Sequence, residues 1–231
     1  MNAMIGVLGG MGPLATVDFL RKLVERTPAD RDQEHVPVVV YSVPQIPDRV
    51  AGIMGRGESP LPAMRAGVQV LEGAGARAIA IPCNTAHYWY DELARACSVP
   101  LLHIADCACD ALGDGVVNVG LLGTSGTLAA GFYQQRLAAR GYQCLINQQD
   151  EIDTWVMPGI GLIKAGNVRG GGELLQQALT ALFERGAQRV ILACTETPLG
   201  LELVCAPQLP RCVDATAALA DACILWSKHN T

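Results

Sequence analysis

The chain has 231 residues, half of them apolar and 17% charged, with a formal net charge of −5. An average domain carries about 25% charged residues, so this composition excludes a disordered chain and is ample for a real core. The mild acidity and the lack of any Lys/Arg run argue against nucleic acid and anionic membrane as partners, and leave room for a small acidic ligand in a locally positive pocket.

No basic leader precedes the first apolar run, and no run approaches the roughly 20 residues of a membrane span, so a cytoplasmic protein is expected. Residues 4–8 predict the first strand, followed by the loop Gly9-Gly10-Met11-Gly12-Pro13. Its spacing departs from the G-x-G-x-x-G of dinucleotide sites, and Pro13 stands where a pyrophosphate-binding helix would begin. A loop whose N–H groups hold a small carboxylate fits better. Residues 14–26 predict a helix whose stripe runs through Leu14, Val17, Asp18, Leu20, Lys22, Leu23 and Val24. A strand at 37–43 leads into the proline-punctuated VPQIPDRV, which carries Arg49.

The strand 77–82 ends in Cys83-Asn84-Thr85, and AHYWYDELARA continues as a helix. A thiol near a helix N-terminus meets backbone N–H groups that favour its anion and lower its pKa from about 8.5. The plainer alternative is a buried strand-end cysteine with Asn84-Thr85 as a helix cap. A further strand is expected at 99–103, then a loop-like boundary at 104–115. Strands at 116–122 and 143–146 open a second half, in which Gly123-Thr124-Ser125-Gly126 is the counterpart of the first glycine loop. Lys164 lies in the loop-rich PGIGLIKAGN. Residues 172–185 place Leu175, Leu179 and Leu182 on one helix face, with Gly186 as the stop. The strand 188–193 ends in Cys194-Thr195-Glu196, where Glu196 is able to orient a neighbour or accept a proton. The tail PRCVDATAALADACILW reads as a short strand and a helix.

Arg49 and Lys164 each read alone as surface charges; together they suit a second carboxylate, Arg49 in bidentate fashion. His87 and His103 have no ligand spacing and are expected in capping and core roles, and no metal cluster is expected. The nine cysteines are odd in number and contain no CxxC pair, which argues against a disulfide framework or a zinc ribbon. All but Cys83 and Cys194 read as small buried hydrophobes, and free thiols suit a reducing compartment.

The two halves match each other. IGVLGGMGPLAT at 5–16 aligns with VGLLGTSGTLAA at 119–130, pairing Gly6 with Gly120, Leu8 with Leu122, Gly9 with Gly123 and Gly12 with Gly126. GARAIAIPCNT at 75–85 aligns with GAQRVILACTE at 186–196, pairing Gly75 with Gly186, Ala76 with Ala187, Ile79 with Val190 and Cys83 with Cys194. The order is kept and the offsets differ by only a few residues, which indicates an internal duplication. Apolar strands alternating with helices predict an α/β fold of two pseudo-symmetric, flavodoxin/Rossmann-like domains with parallel sheets. The expected domains are 1–106, completed by 210–231, and 107–209. Ligands of such sheets gather at the carboxyl ends of strands, where Gly10, Cys83, Thr124 and Cys194 fall.

GGMGPLAT, PQIPDR, IPCNTAH and CTE, in this order and spacing, resemble the cofactor-independent aspartate/glutamate racemases, most closely the aspartate branch. The resemblance covers essentially the whole chain. It implies an active site in the cleft between two similar domains, and a two-base reaction without pyridoxal phosphate or other cofactor. By the resemblance, Cys194 takes the α-proton from the L-substrate and Cys83 from the D-substrate. Asn84, Thr85, Thr124 and Thr195, with the Gly10-Met11 turn, hold the α-carboxylate and amine. Arg49 and Lys164 match positions that hold the side-chain carboxylate. Glu196 stands where glutamate racemases usually have histidine, which speaks for aspartate. Ala193 departs from the glycine that many relatives have there. A homodimer is expected from the same resemblance. Two alternatives stay open: a related two-cysteine isomerase or decarboxylase of a dicarboxylic acid, and a non-catalytic binder of acidic amino acids.

Overall fold

The computed structural model describes residues 2–230; Met1 and Thr231, expected at the ends of the first domain, lie outside the described residues. The chain divides into two compact units, Met1–Cys107 with Thr216–Thr231, and Ala108–Ala215.

The first unit contains β1 (Ile5–Gly9), α1 (Pro13–Arg26), β2 (Val38–Ser42), α2 (Arg49–Ile53), α3 (Leu61–Gly73), β3 (Ala78–Ala80), a 3-10 turn over Thr85–Trp89, α4 (Tyr90–Ala96) and the start of α5 (Ile104–Asp110). The second holds β4 (Asn118–Gly123), α6 (Ser125–Ala130), α7 (Phe132–Ala139), β5 (Gln143–Ile146), α8 (Gln149–Glu151), a π turn over Ile152–Val156, α9 (Met157–Lys164), α10 (Val168–Glu184), β6 (Arg189–Ala193), α11 (Glu196–Leu203) and β7 (Cys212–Asp214). The last helix, α12 (Ala215–His229), returns to the first unit. All strand pairs are parallel, in the orders β2-β1-β3 and β5-β4-β6-β7. The fold is α/β with two parallel sheets among helices. Residues 212–214, grouped with the first domain from sequence, extend the second sheet beside β6.

The duplication extends to the register. Gly6 pairs with Ile79 in the first sheet, and Gly120 pairs with Val190 in the second. A methyl group at Gly6 would meet Ala76, Ile79 and Leu71; at Gly120 it would meet Ala187, Val190 and Leu182. Each glycine therefore lets a helix and the neighbouring strand close onto the central strand, and each half buries its own core there. Burying a Leu or Ile side chain contributes about 1.5–3 kcal/mol, and Leu71, Ile79, Leu182 and Val190 are all fully buried.

Several local expectations change in three dimensions. The buried face of α1 is Ala15, Thr16, Asp18, Phe19, Lys22 and Leu23, while Leu14, Val17 and Val24 face outward. Phe19 shifts the stripe by one position, and Asp18 goes inside because Lys22 pairs with it at 2.5 Å. Only Leu101 of the expected strand 99–103 bridges, to Ile79. Pro100 lacks an N–H to donate, and helix α5 starts soon after. The stretch 104–115 opens as that helix, since Ile104, Ala105, Ala108 and Cys109 all lie buried. Edge strand β2 exposes Val38, Val40 and Tyr41, where a covered strand was expected.

Candidate active site

In the first unit, the loop after β1 turns at Gly10, whose φ is +91°. A side chain there would strike the Val43 backbone at 2.4 Å, so glycine is required on both counts. The Gly10 N–H donates to Thr16 Oγ1 at 2.9 Å, and that hydroxyl donates to the Gly12 carbonyl at 3.0 Å. Met11 is buried in the same core cluster as Cys83. Arg49 is the first residue of α2, and its guanidinium donates to the carbonyls of Ile46, Pro47 and Met11 at 3.1–3.3 Å. Those carbonyls orient the cation without neutralising it. Arg49 and Met11 are thereby brought together.

Cys83 follows β3 and is 6% exposed; Asn84 and Thr85 beside it are also buried. The segment after it begins as the 3-10 turn and becomes α-helical only at Tyr90. Asn84 stands at the N-cap of that turn, its carbonyl accepting the His87 N–H, without a side-chain cap bond. His87, expected in a capping or core role, hydrogen-bonds the Cys83 carbonyl through Nδ1 at 2.9 Å.

In the second unit, Gly123 pairs with Ala193 in the β4–β6 ladder. Thr124 and Cys194 therefore leave neighbouring strands side by side. Thr124 caps α6, its Oγ1 accepting the Thr127 N–H at 3.1 Å. Cys194 is 5% exposed, and its Sγ donates to Glu196 Oε2 at 3.1 Å. The Thr195 hydroxyl donates to the same oxygen at 3.0 Å. Lys164 Nζ stands 3.9 Å from Glu196 Oε1. Burial, and after it the Glu196 charge, push the Cys194 thiol well above its ordinary range, while Lys164 acts in the opposite direction.

Lys164 ends helix α9, where a loop was expected. Pro158 occupies the first turn of that helix, a position that needs no N–H. Tight glycine contacts then bring Lys164 toward Glu196. A methyl group at Gly171 would lie 2.4 Å from the Gly159 carbonyl of α9, and one at Gly172 would lie 2.3 Å from the Gly200 carbonyl of α11. Helix α10 thus draws in both the helix that ends at Lys164 and the helix that begins at Glu196.

Two supporting residues were not singled out for these loops from sequence, Thr16 and His87. The signal for His87 is its spacing, one helical turn after Cys83; nothing in composition marks Thr16. Among the described residues, no group of His, Cys, Asp and Glu is arranged to hold a metal ion. No helix among them is long and apolar enough to cross a membrane.

Residues 8–223 match the family model described as Asp/Glu/Hydantoin racemase. The chain belongs to this family. The broad specificity amino-acid racemase RacX of Bacillus subtilis (strain 168) is 30% identical over 96% of each chain. Among solved structures, the aspartate racemase of Picrophilus torridus shares the fold with a TM-score of 0.86 at 32% identity, over 98% of this chain and 94% of that one. An aspartate racemase homologue from Pyrococcus horikoshii OT3 gives 0.77 at 25% identity, over 99% and 100%. The chain is accordingly a racemase of the Asp/Glu type, and its two parallel-sheet units are the fold of this family.

Proposed function

We propose that this racemase interconverts L- and D-aspartate without a cofactor, using Cys83 and Cys194 as its two bases. The observation that carries the reading is the matched position of two buried thiols, each beyond the end of the same strand of a duplicated sheet. In one direction the Cys194 thiolate takes the α-proton of the L-substrate and the Cys83 thiol returns a proton to the opposite face. In the other direction the roles exchange. One C–H bond breaks and one forms, with no net oxidation.

An amino acid's α-hydrogen is weakly acidic, so the developing charge needs preorganised donors close to the carboxylate. Asn84, Thr85, Thr124, Thr195 and the Gly10–Met11 turn take that role and hold the amine. Cys194 rests as a thiol because burial and Glu196 disfavour its anion, and Glu196 Oε2 is the acceptor within reach of its proton. Arg49, with its charge unneutralised by its carbonyl partners, takes the side-chain carboxylate, and Lys164 adds to it. The likeness to a broad specificity racemase favours a wider substrate range as a second reading.

The test is proton NMR of the purified, reduced protein with L-aspartate in D₂O and no added cofactor. Loss of the α-proton signal with formation of D-aspartate is expected. Exchange with neutral amino acids at comparable rates supports the wider range. No exchange with any amino acid removes the reading.

A further inference from the structure

Behind Cys83 lies a buried imidazole cluster that the proposed reaction does not use. In a regular helix the Cys83 carbonyl would accept the N–H of residue 87. Here that N–H goes to Asn84 at 3.0 Å, in a 3-10 turn. The Cys83 carbonyl instead receives the His87 ring, through Nδ1 at 2.9 Å. The other ring nitrogen, Nε2, receives the main-chain N–H of Ile104 at 3.3 Å. A backbone N–H can only donate, so Nε2 carries the lone pair and Nδ1 the proton. One imidazole in one tautomer thus ties the thiol's own peptide to the first residue of α5.

The surroundings hold that state. His87 is 3% exposed, and the His103 ring lies 4.8 Å away. His103 Nδ1 in turn accepts the Ala105 N–H at 3.1 Å and stands 4.0 Å from Asp106. The Tyr90 ring lies 4.4 Å from His103, tilted by 54°, and its hydroxyl donates to the Leu101 carbonyl at 3.0 Å. Protonating His87 would set a second N–H against that of Ile104. The neutral ring is the one that fits.

We infer that His87 is a positioning residue that aims Cys83 by holding its carbonyl from the Nδ1–H tautomer. The inference rests on the reading of Cys83 as a base. The second half has no such imidazole at Cys194, which takes its partner directly at sulfur. The hydrogen bond is made to the peptide of the base, and a small tilt of that peptide moves Sγ. A misplacement of about 1 Å costs roughly a hundredfold in rate.

The test uses two near-isosteric variants. Asparagine places an N–H where Nδ1 stands, and glutamine places a polar atom where Nε2 stands. H87N is expected to keep most of kcat, whereas H87Q loses roughly a hundredfold with little change in KM. Equal activity in the two folded variants, or a loss confined to KM, overturns the inference. Two readouts are independent of catalysis. Alkylation by iodoacetamide, read by peptide mass spectrometry, is expected to show a changed Cys83 to Cys194 rate ratio in H87Q and a native ratio in H87N; an equal ratio in both overturns the inference. Nitrogen NMR of the wild-type protein is expected to show His87 protonated at Nδ1, and an Nε2–H tautomer overturns the inference whether or not the variants fold. If the protein racemises nothing, or if Cys83→Ala racemises normally, the reading of Cys83 fails, while alkylation and the tautomer still report on the clasp.

Discussion

The two halves share a strand order, a register and a glycine pocket, yet they treat their thiols in opposite ways. Cys194 has a carboxylate at its sulfur, and burial with that charge keeps it a thiol. Cys83 has an imidazole at its carbonyl and lies just before a 3-10 turn. The shared features are those that parallel β–α packing imposes, because a central strand must admit both a helix and a neighbouring strand. The differences sit one to seven residues beyond the strand ends, where side chains are free to diverge without disturbing the sheet. The duplication therefore supplies two equivalent places for a thiol, and the local chemistry makes them inequivalent.

The sharpest way to break this comparison is to remove each thiol in turn. Cys83→Ala and Cys194→Ala are each expected to cost at least about 10²–10⁴-fold in racemisation. Full activity in either, measured by polarimetry on folded protein, rules out one base per half. Arg49→Ala touches the half that carries the guanidinium. Loss of a charged hydrogen bond of about 1.5–3 kcal/mol is expected to raise KM for aspartate roughly ten- to a hundredfold and leave alanine turnover little changed. An unchanged substrate profile takes Arg49 out of recognition.

The glycine pockets allow a quantitative comparison. Gly6→Ala meets two atoms at 2.8 Å, one of them the fixed Ala76 Cβ; Gly120→Ala meets one at 2.8 Å, the tip of Val190. Both are expected to destabilise, within the roughly 1–3 kcal/mol of an overpacked core, and Gly6→Ala by more. Denaturant unfolding reads the difference, and equal losses would mean that the halves relax alike. The smallest expected effect concerns pH. Glu196 raises the Cys194 thiol through its negative charge, so Glu196→Gln lowers that pKa and moves the alkaline limb of the rate profile to lower pH. Burial remains and acts first, so the limb stays above that of an exposed thiol. A limb that does not move separates Glu196 from Cys194.

Read alone, the sequence determined the α/β class, parallel strands, the duplication and the family. All of these rest on patterns repeated along the chain: apolar strands, glycines at fixed distances, and two thiols in matching segments. The stop at Gly186 and the buried face through Leu175, Leu179 and Leu182 were legible for the same reason. Tertiary packing decided what depends on neighbours distant in sequence. Asp18 and Lys22 are polar, yet they enter the interior as a pair. The segment before Lys164 is rich in glycine, yet it is helical because Gly159 meets Gly171 of α10. His87 stands one turn after Cys83, yet it is the N–H of Ile104, distant in sequence, that leaves its Nδ1–H for the Cys83 carbonyl to accept. A hydrogen bond made across the fold has no period, so it is visible only once the chain has closed on itself.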